Sequence, residues 1–231
     1  TMTMICTICA RGGSKGVPGK NVKMIGGLPL IAHSIQQAKD SGLFIGVAVS
    51  SDDAEILRVA GQYGAEWLIE RPTDLATDSA AKVPVIAHTL RAAEDLAGQI
   101  CDAFVDLDAT SPLRYVSDIQ GTTELLQVSG ARNVITGSPA RRSPYFNMVE
   151  RQPDGHVSLS KPLNNAVVRR QDVPACYDMN ASIYVWRRDA FLQEPAVFYD
   201  DTQIFVMPEE RSYDIDSPLD WAIVKMLMEA R

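Results

Sequence analysis

Three segments of this chain gather residues suited to polyanion chemistry. The first is Ala10-Arg11-Gly12-Gly13-Ser14-Lys15-Gly16-Val17-Pro18-Gly19-Lys20-Asn21, directly after the apolar run Met4 to Cys9. Glycines such as Gly13 let backbone N–H groups approach a phosphate, and Arg11, Lys15 and Lys20 supply the countercharge. A nucleoside triphosphate or a similar polyanion is the expected ligand. The segment is not a Walker loop, because Lys15 stands where the first Gly is required and Asn21 replaces the magnesium-binding hydroxyl. It carries no Gly-x-Gly-x-x-Gly either. The competing reading is a solvated basic surface loop.

The second segment is Ser212-Tyr213-Asp214-Ile215-Asp216. In an extended backbone Asp214 and Asp216 share one face while Ile215 turns to the core. Two such carboxylates are hard oxygen ligands of the kind Mg2+ takes together with substrate phosphates. They also suit a pair of exposed, turn-forming aspartates ahead of a helix. The third segment, Leu107-Asp108-Ala109-Thr110-Ser111-Pro112-Leu113-Arg114, offers Thr110 and Ser111 hydroxyls to a polyhydroxy ligand, or plain turn chemistry. Arg169-Arg170-Gln171 reads as a carboxylate clamp or as solvated arginines. The histidines His33, His88 and His156 share no spacing with other ligands, and no Ser/His/Asp or Cys/His assembly is present.

The elements needed to position these segments follow from periodicity. Strands are expected at Met4–Cys9, Gly46–Ser50, Glu66–Ile69, Ala103–Leu107, Asn180–Trp186 and Ile204–Met207. Helices are expected at Pro29–Lys39, from an Asp52 cap with Glu55 completing a capping box, and at Lys82–Ala97 and Ser117–Gln127. A last helix opens at Ser217-Pro218 with Asp220 at its third position. Leu219, Ala222, Ile223, Met226 and Leu227 form its expected buried stripe. Repeated βα units predict an α/β fold with a mainly parallel sheet and a ligand site at the carboxyl ends of its strands. Between Arg141 and Asp178 the rhythm fails: Pro144, Pro153, Pro162 and Pro174, Asp154-Gly155 and Asn164-Asn165 indicate turns, and hairpins of a small extension packed on a second subunit are expected.

With 231 residues, 46% of them hydrophobic, the chain suits one domain spanning 1–231, the 141–178 extension included. Its 22 basic and 29 acidic residues give −7, which argues against sequence-independent nucleic-acid binding. No run is long enough for a membrane span, so a soluble, cytoplasmic protein is expected. Cys6 and Cys9 would face opposite sides of a strand, and with Cys101 and Cys176 far away all four read as buried thiols rather than a metal or redox motif.

The glycine-rich segment resembles the opening signature of the CMP-sialic acid synthetases, or acylneuraminate cytidylyltransferases. Four more segments agree in order and spacing: Val49-Ser50-Ser51-Asp52-Asp53, Arg71-Pro72-x-x-Leu75-Ala76-Thr77-Asp78, Thr110-Ser111-Pro112-Leu113-Arg114 and Ser212-x-Asp214-Ile215-Asp216. The resemblance implies a Rossmann-like nucleotidyltransferase domain with a small dimerisation extension. It implies magnesium-dependent transfer of CMP from CTP to the anomeric hydroxyl of a nine-carbon 2-keto acid sugar, with pyrophosphate leaving. By matched position Arg11, Gly13, Lys20 and Asn21 would hold the triphosphate, and Arg71, Asp78 and Ala80 would sit near the cytidine. Asp214 and Asp216 would bind Mg2+. Asp108, Thr110, Ser111, Arg170, Gln171 and Tyr184 would line the sugar site. Arg11, Lys20, Asp214 and Asp216 would carry the catalysis.

The chain departs from the sialic acid pattern in three places. It has Leu107-Asp108-Ala109 for the usual Leu-Gln-Pro, Asn180-Ala181-Ser182 for Asn-Gly-Ala, and Lys82 where many members carry Ser. The segments Ala80-Ala81-Lys82-Val83-Pro84 and Asp178 to Trp186 look more like the bacterial legionaminic acid branch, so a diacetamido, 9-deoxy sugar is the expected acceptor. N-acetylneuraminate, pseudaminate and 3-deoxy-manno-octulosonate are the rivals within the enzyme class. A non-catalytic CTP- or sugar-sensing dimer is the alternative outside it.

Overall fold

The computed structural model of the chain describes residues 1–76, 81–163 and 170–231. Strand β1 (Met4–Cys9) runs into the glycine-rich loop, followed by the two-residue strands β2 (Met24–Ile25) and β3 (Leu28–Pro29) and helix α1 (Leu30–Asp40). Then β4 (Val47–Ser51), α2 (Ala54–Gln62), β5 (Trp67–Glu70), α3 (Lys82–Ala97), β6 (Ala103–Leu107) and α4 (Val116–Ser129) continue the alternation. The second half holds β7 (Asn133–Pro139), the hairpin strands β8 (Val149–Arg151) and β9 (Val157–Leu159), β10 (Tyr177–Arg187), α5 (Arg188–Gln193), β11 (Gln203–Val206) and α6 (Pro218–Glu229).

Seven strands form one sheet in the order β11-β7-β10-β6-β1-β4-β5. Strands β5, β4, β1 and β6 are mutually parallel, and β11 is parallel to β7. Only β10 runs against its neighbours, β6 and β7. Both faces of the sheet are covered, which is why β1 reads as a continuous apolar run rather than an alternating one. Helices α1, α2 and α4 press Ile31, Ile35, Ile56, Val59, Ile119 and Leu126 onto one face. Helices α3 and α5 press Ile86, Leu90 and Phe191 onto the other, against Phe104 and Trp186. Cys6 belongs to the first layer and Cys9 packs on the second, so the two thiols do face apart. Burial pushes Cys9 and Cys101 up to about 12, and Cys6 well above the ordinary thiol range.

A third, smaller core ties the loops to the end of the chain. It joins Val17, Ile25, Leu30, Leu113, Ile215 and Val224. Full burial of each such side chain contributes about 1.5–3 kcal/mol. That is enough to hold the glycine-rich loop and the Asp214–Asp216 segment against one another.

Several expectations need correction. Strand β7 and helix α5 were absent from the expected elements. Helix α2 is capped by Asp53, whose Oδ1 accepts from Glu55 N at 2.8 Å, and not by Asp52. Of the expected stripe of α6, Leu219 (69% exposed), Ala222 and Met226 (60% exposed) face outward, whereas Leu227 packs with Trp221 and Met228 beside the buried Val224. Cys9 and Cys176 are only partly buried. The irregular segment does contain a hairpin, β8 and β9, with Val149 and Val157 exposed on it.

Candidate active site

Loops from the carboxyl ends of β1, β4, β5 and β6 converge. The β1 loop is pinned at its start, where Ala10 N donates to Ser50 O at 2.9 Å and Gly12 N to Asp52 Oδ1 at 2.9 Å. This contact uses Asp52 and leaves the cap of α2 to its neighbour. The loop then crosses to the far end of the chain. Lys20 Nζ donates to Ile215 O at 2.9 Å and lies 4.0 Å from Asp216 Oδ1. A Cβ on Gly16 would stand 1.9 Å from the Asp216 carbonyl oxygen, so only glycine permits this approach. Asn21 is buried and donates through Nδ2 to Arg11 O at 3.0 Å. Gly13 is exposed at the loop surface. A recess of about 160 Å³ opens between Arg11, Ser14, Lys20, Asn21, Asp108 and Thr110.

The carboxylate segment is fixed by the helix that follows it. In the capping box of α6, Asp220 Oδ2 accepts from Asp216 N at 2.9 Å and Ser217 N at 3.0 Å, and Asp220 N donates to Ser217 Oγ at 3.2 Å. Ile215 is fully buried and donates its N–H to Thr110 O at 2.9 Å, which ties this segment to the β6 loop. Asp214 is half-buried, whereas the Asp216 side chain is 73% exposed. Burial, and then the neighbouring Asp216 carboxylate, push Asp214 up to about 7. A carboxylate held at that level accepts a cation readily, since a nearby positive charge reverses the penalty.

Sequence reasoning missed much of what surrounds these groups. Arg114 is 1% exposed and acts as a hub. It donates to Ser34 Oγ at 2.8 Å and Gln37 Oε1 at 2.9 Å on α1, to Ser182 Oγ at 2.9 Å and Ser182 O at 3.0 Å on β10, and to Asp108 O. Desolvation lowers it to about 10. Its motif was noted, but a structural reach across three elements leaves no local pattern. A second recess, about 210 Å³, borders Asp214 and is lined by Ser138, Arg141, Asp178, Asn180, Glu209 and Tyr213. Arg141 entered the sequence reading only as a limit of the irregular segment, and Asp178 as its other limit and the start of the segment that resembles the legionaminic acid branch.

Asp108 is strongly constrained. Its Oδ1 accepts from Thr110 N at 3.0 Å and from Thr110 Oγ1 at 2.8 Å. Its Oδ2 faces Lys82 Nζ at 3.5 Å, and Asp106 Oδ2 lies 3.9 Å from the same ammonium. Asp106 accepts from Thr7 Oγ1 at 2.8 Å, and burial raises it to about 6 despite Lys82. Tyr184 is buried, stacked on Trp186 at 5.3 Å, with Lys82 Nζ 4.5 Å from its ring centroid. Lys82 opens α3, where a cation opposes the helix dipole by about 0.3–1 kcal/mol. A partly exposed ion pair offsets no more than about 1 kcal/mol of that.

Ser111 is fully buried, with its N–H donating to Asp108 O at 3.1 Å. Gln171 lies elsewhere, on a groove of about 350 Å³ with Arg142, Phe146, Pro174 and Cys176. The structure therefore brings Arg11, Lys20, Asn21, Asp108, Thr110, Asp214 and Asp216 together, and leaves Gln171 apart from them within one chain. Asp78, Ala80, the Asn164-Asn165 turn, Arg169 and the side chain of Arg170 lie outside the described residues.

Among the described residues five buried side-chain polar atoms have no hydrogen-bond partner, and four of them stand around this site: Asn21 Oδ1, Ser50 Oγ, Arg71 Nε and Ser111 Oγ. They follow or end β1, β4, β5 and β6 in turn. Native interiors rarely leave such groups unpaired, and orphans gathered at one sheet end mark a ligand site.

Known proteins resemble this chain along nearly its whole length. A family model described as cytidylyltransferase matches residues 5–231. The chain is 46% identical over 228 residues to post-translational flagellin modification protein B of Campylobacter coli, covering 99% of this chain and 96% of that protein. Identity and coverage are the same for the CMP-N,N'-diacetyllegionaminic acid synthase of Campylobacter jejuni. In fold, the chain resembles a solved CMP:2-keto-3-deoxy-manno-octonic acid synthetase complexed with CTP, with a TM-score of 0.69 at 18% identity and 99% coverage of both chains. Orphaned polar groups at the strand ends, a glycine-rich loop seated on a carboxylate pair and a match along nearly the whole chain lead to one assignment: this protein is a nucleotidyltransferase that belongs to the cytidylyltransferase family.

Proposed function

We propose that this cytidylyltransferase moves CMP from CTP to the anomeric hydroxyl of a nonulosonic acid, N,N'-diacetyllegionaminic acid before others, and releases pyrophosphate. The observation that carries the reading is the set of orphaned polar groups on Asn21, Ser50, Arg71 and Ser111, which a nucleotide and its acceptor sugar laid across the strand ends would satisfy. The name of the Campylobacter jejuni relative, a CMP-N,N'-diacetyllegionaminic acid synthase, supports the choice of sugar.

In this reading Arg11, Gly13, Lys20 and Asn21 hold the triphosphate, and Arg71, Asp78 and Ala80 border the cytidine. Asp108, Thr110, Ser111, Arg170, Gln171 and Tyr184 serve the sugar. Two carboxylates, Asp214 half-buried and Asp216 exposed, would hold a magnesium ion, which commonly takes one or two carboxylates beside substrate phosphates. Magnesium, when bound, supplies Lewis-acid stabilisation of negative phosphoryl oxygens. Lys20 is oriented by the Ile215 carbonyl, so its ammonium is in place to neutralise charge as the α-phosphorus is attacked. Arg11, on the same recess, does the same for the leaving pyrophosphate. The exposed apolar residues of the extension and the separate position of Gln171 support a homodimer in which the extension of one protomer covers its partner. Among the described residues no helix is long and apolar enough to cross a membrane, which is compatible with a bacterial cytoplasmic enzyme.

The test is pyrophosphate release with Mg2+ and CTP across a panel of nonulosonic acids, with UTP and ATP as controls. The highest kcat/KM is expected with the diacetylated legionaminate. A preference for N-acetylneuraminate or pseudaminate would refute the sugar assignment. Silence with every sugar, despite CTP binding, would point to a sensing role.

A further inference from the structure

The ammonium of Lys82 is placed as if something were still to arrive. It lies 3.5 Å from Asp108 Oδ2 and 3.9 Å from Asp106 Oδ2, both longer than an ordinary N–H···O contact of about 2.7–3.2 Å. It also lies over the face of Tyr184, with the centroid at 4.5 Å. The side chain is 35% exposed and that of Asp108 is 28% exposed, so the pair faces the site, while the Asp106 side chain, at 2%, is sealed behind it. A lysine at the first position of α3 is no help to the helix, and at these distances it balances the Asp106 and Asp108 charges without an ordinary hydrogen bond to either. Its position is better explained by a bound group.

The chemistry of that group is narrow. Lys82 can only donate, and Asp108 Oδ2 can only accept, because Oδ1 is already engaged twice by Thr110. An anion would meet Asp108 and Asp106 together, so neither a phosphate nor a carboxylate suits this corner. A hydroxyl does suit it: an oxygen about 2.8 Å from both Nζ and Oδ2 accepts from the first and donates to the second. We propose that Lys82 and Asp108 form a receptor for one substrate hydroxyl, a specificity-determining pair outside the glycine-rich loop and the Asp214–Asp216 segment. This inference rests on the cytidylyltransferase reading above, which offers two sources of the hydroxyl, the ribose of CTP and the acceptor sugar. Lys82 and Asp108 are also two of the three departures from the sialic acid pattern, and they are in contact with each other.

Calorimetric binding of CTP, 2′-deoxy-CTP, 3′-deoxy-CTP and N,N'-diacetyllegionaminic acid to wild type, Lys82→Met and Lys82→Arg tests it. Methionine keeps the unbranched stem over Tyr184 and removes the donor. Lys82→Met is expected to weaken one of the two substrates by roughly tenfold or more and the other by less than about twofold, with an unchanged melting temperature and partial rescue by arginine. If the loss falls on CTP and the penalty for one deoxy analogue disappears, the hydroxyl is the ribose's. If it falls on the sugar, the hydroxyl is the acceptor's. Equal binding by wild type and Lys82→Met would overturn the proposal. So would a matched loss of both substrates with a fallen melting temperature that arginine does not repair. Wild-type protein that binds neither CTP nor the sugar would instead refute the cytidylyltransferase reading, and this inference with it.

Discussion

At the scale of single residues, the site separates groups that hold the fold from groups that wait for a ligand. Asp216 is of the second kind: its backbone N–H is tied to Asp220 while its carboxylate stands 73% exposed. Asp216→Ala should therefore lower kcat by about 100-fold or more, as loss of a charge-stabilising group does, and leave the melting temperature unchanged. Turnover close to wild type would remove Asp216 from the metal site. Asp106 is of the first kind. Burial raises it to about 6, so the native state resists its ionisation. An acid whose folded value lies above its unfolded one costs nothing below pH 4, and its cost grows between about pH 4 and 6 to a ceiling near 3 kcal/mol. Asp106→Asn keeps the oxygen that Thr7 uses. It should gain about 1–3 kcal/mol over wild type at pH 7.5 and lose most of that advantage by pH 4.5. Urea unfolding at the two pH values measures both, and an asparagine variant weaker than wild type at pH 7.5 would contradict this account.

At the scale of elements, β10 deserves comparison with its sequence. Its register against β7 shifts between Met179 and Tyr184, and Ala181 takes φ +53° within that bulge. A Cβ in this region costs about 1–2 kcal/mol, a strain that glycine in its place would not carry. The bulge is held by Asn180, whose Oδ1 accepts from Thr136 Oγ1 at 2.6 Å and from Ser182 N at 3.1 Å. Ala181→Gly should leave stability unchanged or raise it slightly, while Ala181→Val, β-branched at positive φ, should cost about 2 kcal/mol. Thermal unfolding of the pair decides, and a valine variant as stable as wild type would rule out the strain.

The parallel half of the sheet and the capping box of α6 were legible because their signals are local: apolar runs, Pro at a first position, Ser three residues before Asp. Strand β7 was not, since Asn133, Thr136 and Gly137 interrupt its apolar pattern. Those polar groups are satisfied by distant partners, Asn133 Nδ2 by Val197 O at 2.6 Å and Thr136 by Asn180. Helix α6 failed differently. It is apolar nearly all round, so periodicity could not say which side meets Ile215. The glycine-rich loop and the Asp214–Asp216 pair were visible as motifs, but the Lys82–Asp106–Asp108 cluster depends on how α3 sits over β6, which no short spacing encodes.

At the scale of the whole molecule, the site depends on contacts between the two ends of the chain. Lys20 meets Ile215, and Gly16 touches the Asp216 carbonyl, so the phosphate loop has no finished shape until α6 has docked. Such long-range closure slows folding relative to local structure. The outward faces have their own consequence. Met148, Val149 and Val157 on the extension and Leu219 and Met226 on α6 are all more than 40% exposed. Light scattering of the purified protein should give twice the mass of one chain at micromolar concentration. Val149→Lys with Val157→Lys should give single chains of unchanged helix content. A wild type that runs as a single chain would end the dimer proposal.

The four thiols carry a practical corollary. Cys6 and Cys101 are enclosed, and the proton on Cys9 is held until about pH 12, so none of the three offers a thiolate near neutrality. Cys176 is partly open, as Cys9 is, but it lies on the groove it shares with Gln171 in the extension, away from the burial that holds the Cys9 proton. A maleimide dye added to the unaltered protein should therefore attach at one place, and its fluorescence would report when that segment becomes covered, without a single engineered residue.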